Sequence, residues 1–580
     1  MTQLKNLFII LFELIDLVKN YKKKYLFLLF ILFTILSSFF EILTIGSLIP
    51  LMQVLLDPIV FFENTDIFIK KFFSINNSDD LTGAILIAFS VLIIISYLAK
   101  ILLIWMSTIF TFDLSKYLSN KIFIKTLSKK YKYFTNSSTS LMLSNQEKVE
   151  HVRGVIFSFT QLISSIIIST SIFIFLFYID FKTAFLITIF SVISYFLLFI
   201  KLRKKLNFLS KENSELLDQR FKILIEASEN IKEIKLRSLY DFFIKKYAKI
   251  NTRIKKIKIL TVLIHSFPSQ IFLMVGTIFI IILMYYYSTG DNSLVENIPF
   301  LSALIFGIQK VFPQAQNVFN SLAGIKEYRK SLIDIKYINE DDEAYINVEK
   351  KINEEILIKK YFELKNINFQ HENSNQALFK NANLKFEVGK IYGIKGISGA
   401  GKTTVIDIIC GLLSSQGELV VDGENIDFYN NNLWQNNIAY LSQNNILADS
   451  NIIENIAYGI DESKVDFKKI ENASIKANIF EFITNMKDSF YSSIGEKGIK
   501  ISGGQSQRIL LAKIFYLDKK ILILDESTNA LDKRNEEMIF KSLREHSKNK
   551  ITIIINHNLS IEKYLDHIYE VKDKKINLIK

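Results

Sequence analysis

Two short stretches in the C-terminal half hold residues able to grip and split a phosphoanhydride. The first, "GISGAGKTT" (396–404), follows the apolar run "IYGIK" (391–395). It has the G-x-x-x-x-G-K-[ST] spacing of a phosphate loop set between a strand and a helix. Gly396, Gly399 and Gly401 let the backbone curl so that its N–H groups converge on phosphate oxygens. Lys402 adds positive charge at the β/γ-phosphates, and the Thr403 hydroxyl suits Mg2+. Ser398 and Thr404 complete the set of candidate phosphate contacts. The second stretch, "ILILDE" (521–526), is a buried strand that carries Asp525 to its end, where it can hold Mg2+ through water. Glu526 follows as the group that polarises the attacking water. The expected ligands are ATP and Mg2+.

Around these motifs the residues resemble the ABC ATPases. "ISGGQSQR" (501–508) is similar to the signature sequence of that family, which other phosphate-loop enzymes lack. The resemblance implies further roles. Gln443 in "YLSQ" stands where the family has its Q-loop and a Mg2+ ligand; His557 in "IIINHN" stands where it has its catalytic switch histidine. "NALD" (529–532) resembles the D-loop, and "GEKG" (495–498) the loop that precedes the signature in exporters. It further implies that two copies pair head to tail, with the phosphate loop of one facing Ser502, Gly503 and Gly504 of the other. A Ser-Gly-Gly at a helix start does offer N–H groups and a positive dipole end to a γ-phosphate. With one loop and one signature, the chain is expected to pair, and a homodimer is favoured because neither motif is degenerate. Three positions depart from the pattern. His371 replaces the usual adenine-stacking Tyr, which buries less area; Asn529 replaces a D-loop Ser, and Asn558 follows His557 where Arg is common. None removes a catalytic group.

The elements that must position these residues are of two kinds. At 580 residues the chain exceeds a single core. Hydrophobic residues reach 49%, with 49 Phe and a mean hydropathy of +0.23, while charged residues still make up 22%. Apolar stretches near 25–56, 82–111, 155–178, 181–200, 258–287 and 298–323 are long enough to cross a bilayer, which takes about 20 residues each. "LFLLFILFTILSSFF" lacks the polar face that a soluble bundle would need. The loop between spans two and three carries Lys116, Lys121, Lys125, Lys129, Lys130 and Lys132. The loop between spans four and five is richer still, whereas "STGDNSLVENIP" after span five has no Lys or Arg. The long loops and both termini are therefore expected in the cytoplasm. That placement also assigns the net charge of +13 to membrane orientation and anionic lipid rather than to nucleic acid. "FFENTDIFIKKFF" (61–73) is expected as a short interfacial helix. Cys410 is the sole cysteine, so no intramolecular disulfide or Cys-clustered metal site can form. No cleavable signal peptide is expected.

The expected architecture is an all-α six-helix transmembrane domain of ABC exporter type (1–325), a linker (326–356) and an α/β P-loop ABC ATPase domain (357–580). Its expected place is the cytoplasmic (inner) membrane. "ENIKEIKLRSLYDFFIKKY" (229–247) and "FFEILTIGSLIPLM" (39–52) resemble the corresponding segments of lipid-linked oligosaccharide flippases of the PglK type. That resemblance implies an amphipathic, lipid-linked cargo. An exporter of peptides or hydrophobic compounds is the alternative, and a non-transport ABC ATPase is the alternative from another class. Charges within the spans mark candidate cargo contacts or structural pairs: Glu41 and Lys100 in spans one and two, and Lys310, Gln314 and Asn317 in the last. Those last three, with Ser321, recur at intervals of four, three and four and form one polar stripe. Pro313 is expected to kink the helix there.

Overall fold

In the computed structural model the described residues are 21–66, 77–136, 139–179, 181–288, 294–340, 356–371, 376–429, 431–443, 445–495, 498–526, 531–555 and 559–580. They form two compact units. The first comprises Met1–Leu127 with Ser137–Ala344, the second Ser128–Asn136 with Tyr345–Lys580.

The first unit is helical. Its principal helices are α1 (Tyr25–Gly46), α2 (Leu48–Leu56), α3 (Ser78–Leu127) and α4 (Thr139–Ile179). Then come α5 (Phe181–Glu229), α6 (Tyr240–Ser288), α7 (Leu294–Glu327) and α8 (Arg329–Glu340). Among the described residues, four stretches are long and apolar enough to cross a membrane: Tyr25–Leu56, Ser78–Leu127, Leu141–Ile179 and Ile298–Glu327. The expected fourth and fifth spans, 181–200 and 258–287, lie within α5 and α6. At 50 residues, α3 is about 75 Å long at 1.5 Å per residue and outreaches the hydrocarbon core.

Two local details go beyond the sequence reading. The first span is not one uninterrupted helix: α1 ends at Gly46 and α2 starts at Leu48. Pro50 has no N–H to offer the Gly46 carbonyl, which weakens the ladder at that turn. Within the expected linker 326–356, α8 occupies Arg329–Glu340 and buries Leu332 and Ile335. α7, by contrast, runs through Pro313 without a break in its helical assignment. Part of the expected interfacial helix (67–73) lies outside the described residues.

The polarity of this unit is inverted. Leu28, Ile87, Ile101 and Trp105 present 59–68% of their surface outward, which suits lipid and not water. Inside, Thr34, Ser37, Glu41 and Thr44 line one buried face of α1. The Thr34 hydroxyl donates to the Phe30 carbonyl and Thr44 to the Glu41 carbonyl, so these two hydroxyls are satisfied within the helix. Ser107 of α3 and Thr160 of α4 share a hydrogen bond at 2.9 Å between helices. Phe30, Ile45, Leu103, Ile172, Leu304 and Val311 pack around them.

The second unit is α/β. Its strands are β1 (Tyr361–Phe369), β2 (Phe379–Glu387), β3 (Ile391–Lys395), β4 (Gln416–Val421) and β5 (Glu424–Ile426). β6 (Ile438–Leu441), β7 (Ile521–Asp525), β8 (Ile551–Ile555), β9 (His567–Lys572) and β10 (Lys575–Leu578) follow. A four-stranded antiparallel sheet has the order β2-β1-β4-β5; a six-stranded sheet runs β10-β9-β3-β8-β7-β6 and is parallel from β9 to β6. β7 is buried at all five positions, as a strand covered on both faces must be. Ile521 and Ile523 enter one core, Leu522 and Leu524 the other.

The helices that matter to the site are α9 (Lys402–Ile409), α10 (Gly503–Leu517) and α11 (Lys533–His546). Trp434, fully buried against Phe362, donates its indole N–H to the Ile409 carbonyl at 2.7 Å. That bond satisfies one of the orphan carbonyls at the end of α9. Trp434→Phe leaves the carbonyl unpaired and should cost about 1–3 kcal/mol. Chemical denaturation of the detergent-solubilised chain, read by circular dichroism, checks this. An unchanged midpoint would contradict it.

Candidate functional site

β3 and β7 flank β8 in register, Gly393 opposite Ile554 and Leu524 opposite Ile554 from the other side. Their C-terminal ends therefore open on the same edge of the sheet, where the phosphate loop and Asp525 emerge. In the loop, Gly399 (φ +79°) and Gly401 (φ +99°) are left-handed. A Cβ on Gly401 would lie 2.8 Å from Phe379 Cζ, so the loop is seated on β2 as closely as glycine allows. Gly401 caps α9 and directs that helix's N-terminus at the loop. The Lys402 ammonium donates to the Gly396 and Ile397 carbonyls at 3.0 and 3.1 Å. Ser398 and Thr403 are exposed, and Thr404 is half-buried.

On the strand side, the Thr403 and Tyr440 hydroxyls both stand 3.5 Å from Asp525 Oδ2. Burial, reinforced by the charge of Glu526, raises the Asp525 carboxyl above its usual range. The Glu526 carboxylate accepts a 2.7 Å bond from Gln443 Nε2. Glu526 also holds a left-handed backbone (φ +49°), uncommon for a residue with its side chain, and its N–H donates to Ile555. Thr403 and Asp525 bring together hard oxygen donors of the kind Mg2+ takes, and the Gln443 amide oxygen is the expected third. Among the described residues no cluster of three His, Cys, Asp or Glu could hold a metal alone. An ion held mainly by phosphate oxygens and water needs no such cluster.

Two further expected groups are exposed. Ser502 caps α10, accepting from the Gln505 N–H, while Gln505 Oε1 accepts from the Ser502 N–H at 2.8 Å. This capping box holds Ser502 and Gly503 exposed at a helix N-terminus. His371 lies exposed just past β1, with its ring edge-on to Phe369. It lines a cleft of about 410 Å3 with Phe369, Thr404, Asp407, Leu412 and Tyr429. His557, Asn529 and Asn558 lie outside the described residues, as does part of the "GEKG" loop.

Sequence reasoning missed Tyr440, Asp407 and Gln505. Tyr440 was visible in "YLSQ", and Gln505 follows Ser502 at capping-box spacing; Asp407, inside a helix, gave no signal. Burial and the charge of Asp525 push the Asp407 carboxyl up to about 6.

In the helical unit, the charges expected inside the spans meet. Glu41 on α1 is 1% exposed and pairs with Lys100 of α3 through Oε1, and with Lys310 of α7 through Oε2 at 3.2 Å. Both ammonium groups lie over the Tyr97 ring, 5.3 and 5.2 Å from its centroid. Gln314 and Asn317 are half-buried further along α7, and Ser321 is buried.

Comparison with known proteins places both halves. Residues 27–306 match the family model described as ABC transporter transmembrane region, and residues 379–529 the one described as ABC transporter. A putative multidrug export ATP-binding/permease protein of Staphylococcus aureus strain bovine RF122 is 37% identical over 216 residues, 36% of this chain and 36% of that protein. Its counterpart in strain NCTC 8325 is 36% identical over 216 residues, 37% of each. The matched stretch thus spans little more than a third of these curated relatives. Among solved structures, a bacterial Atm1-family ABC exporter with ATP bound superposes with a TM-score of 0.78 at 18% identity, covering 96% of this chain and 95% of that one. At that identity the likeness is one of fold.

The raised Asp407 gives a signed pH dependence. Its folded pKa, about 6, stands above the ordinary 3.8, so ionising it opposes folding above about pH 6 and the penalty vanishes as pH falls toward 4. Asp407→Asn should stabilise the chain at pH 8 by on the order of 2 kcal/mol, with the gain shrinking toward pH 5. Thermal melts across that range check it, and a gain independent of pH would contradict it.

Proposed function

We propose that this chain is an ABC transporter, working as an exporter half-transporter whose ATP site drives an amphipathic molecule across the cytoplasmic membrane. The observation that carries the reading is the convergence of Gln443, Glu526, Asp525 and Thr403 at the edge of a sheet whose next connection is a phosphate loop. The same chain carries helices long and apolar enough to span a bilayer.

Each residue then has a task. The loop N–H groups and Lys402 hold the β- and γ-phosphates, and His371 packs beside the base. Thr403, Asp525 and the Gln443 amide oxygen hold Mg2+, which when bound neutralises phosphate charge. Glu526 accepts a proton from the attacking water as its oxygen bonds to the γ-phosphorus and the bridge to the β-phosphate breaks, giving ADP and phosphate. The hydrogen bond from Gln443 holds the Glu526 carboxylate in place. His557, by resemblance, assists at the γ-phosphate.

The site is completed in trans by Ser502, Gly503 and Gly504 of a second copy. Exposure supports this. Ile397 in the phosphate loop is 81% exposed and Ile499 before the signature 83%, large apolar side chains that a partner would cover. The cargo is amphipathic: a lipid-linked oligosaccharide, by the resemblance of 39–52 and 229–247. Export of hydrophobic compounds is the second reading, which the names of the Staphylococcus relatives favour.

Glu526→Gln keeps the shape and removes the base. It should bind ATP with near wild-type affinity and lose at least about a hundredfold in turnover, measured as phosphate release in detergent. Wild-type-like hydrolysis would remove Glu526 from the reaction. The trans arrangement is checked by co-assembling Lys402→Ala with Ser502→Arg. The mixed dimer carries both lesions in one site and none in the other, so hydrolysis should return in part. Two inactive parents giving an inactive mixture of demonstrated heterodimers would contradict it.

A further inference from the structure

We propose that Glu41, Lys100 and Lys310 form a binding site for the acidic head group of the cargo, in which Glu41 acts as an internal competitor for the cargo's own anion. The proposal rests on the transporter reading above and deepens it.

The charges do not balance. Among the described residues one carboxylate, 1% exposed, faces two ammonium groups, so the cluster carries a net positive charge within three membrane-spanning helices. Glu41 lies about 24 Å along α1 from its start at 1.5 Å per residue, inside the apolar stretch Tyr25–Leu56. An uncompensated ammonium facing hydrocarbon there is strongly disfavoured. The lysine side chains nonetheless keep 27% and 15% of their surface uncovered, whereas Glu41 is sealed. The open side of the cluster is therefore cationic, and must face water or polar cargo rather than lipid. Tyr97 and Phe306 supply aromatic faces beside Lys310, at 5.2 and 5.1 Å from its ammonium. They give apolar area next to the charge, and the combination fits an amphiphile with a phosphate or carboxylate head.

The two lysines are not equivalent. Glu41 gives each of its oxygens to one ammonium, joining α1 to α3 and α1 to α7. A single incoming anion can neutralise Lys310 while Lys100 stays with Glu41, and every charge is then paired. Binding thereby exchanges a link between α1 and α7 for a link between α7 and the cargo. Lys310 is the group that changes partner, and Glu41 sets how tightly an anion must bind to displace it.

The test uses the full chain in phosphatidylcholine nanodiscs, titrated with decyl phosphate, decylphosphocholine and decyl glucoside, which share one chain length. Wild type should bind decyl phosphate at least about tenfold more tightly than the other two. Lys310→Met leaves the neutral Lys100–Glu41 pair and should bring all three within about twofold, while Lys310→Arg should keep the preference. Glu41→Gln removes the competitor and should tighten decyl phosphate binding. If two unpaired lysines prevent that variant from folding, the two Lys310 variants still decide. Equal binding of the three probes by wild type, or an unaltered preference in Lys310→Met, overturns the proposal. Displacement of decyl phosphate by inorganic phosphate at matched concentration overturns the amphiphile part. ATP hydrolysis by the wild-type chain without any probe is measured in parallel. Its absence would instead sink the transporter reading.

Discussion

Three parallel strands, β3, β8 and β7, are hydrogen-bonded in one register from Ile391–Thr552 through Asp525–Ile555. Their common end fixes where the phosphate loop turns and where Asp525 and Glu526 emerge. Parallel strands can be joined only by long crossovers, so Asp525 and Glu526 sit far along the chain from the phosphate loop. Register does what sequence proximity cannot. It also explains the buried, unbroken β-branched and Leu runs, since a slip of one residue would turn Asp525 into a core.

How much of this could be read beforehand depended on how far apart the cooperating residues lie. The phosphate loop was legible because its glycines, lysine and threonine are contiguous and each has a backbone or ligand reason. "ILILDE" was legible because a buried strand must be apolar until the residue that works. The bond from Gln443 to Glu526 joins residues 83 positions apart, so resemblance suggested each residue while only the fold placed them in contact. Asp407 was illegible: nothing in "TTVIDIICG" says that its carboxyl will be buried beside Asp525. In the helical unit, length and hydropathy marked the spans, yet the interruption at Ser47 and the helix Arg329–Glu340 followed from local details weaker than those patterns. A proline at the third position of α2 and two apolar residues spaced to bury on α8 were the only signs.

The cluster around Glu41 shows the same limit in another form. Each charge was conspicuous alone, because an ionisable group in an apolar span must have a partner. Glu41 and Lys100 invited pairing from sequence. That Lys310, on the last span, shares the same carboxylate depends on the packing of α1, α3 and α7, for which no local pattern exists. The inverted polarity of this unit gives the cluster its meaning. Thr34 and Thr44 bond within their own helix and Ser107 and Thr160 bond each other, whereas the charged groups pair across three helices and leave one positive charge in surplus.

One chain carries an ATP site at the end of a parallel sheet and a cationic cluster among membrane helices, and hydrolysis at the first is proposed to move cargo past the second. The most direct measurement reconstitutes the chain in liposomes containing a fluorescent short-chain phospholipid with an acidic head. ATP is then added, and the label accessible to an external quencher is followed. Transfer between leaflets that requires hydrolysable ATP is the predicted result. Sustained ATP hydrolysis by the same liposomes, with no ATP-dependent movement of this or of a neutral hydrophobic probe, would contradict the claim and return the chain to ABC ATPases that do other work.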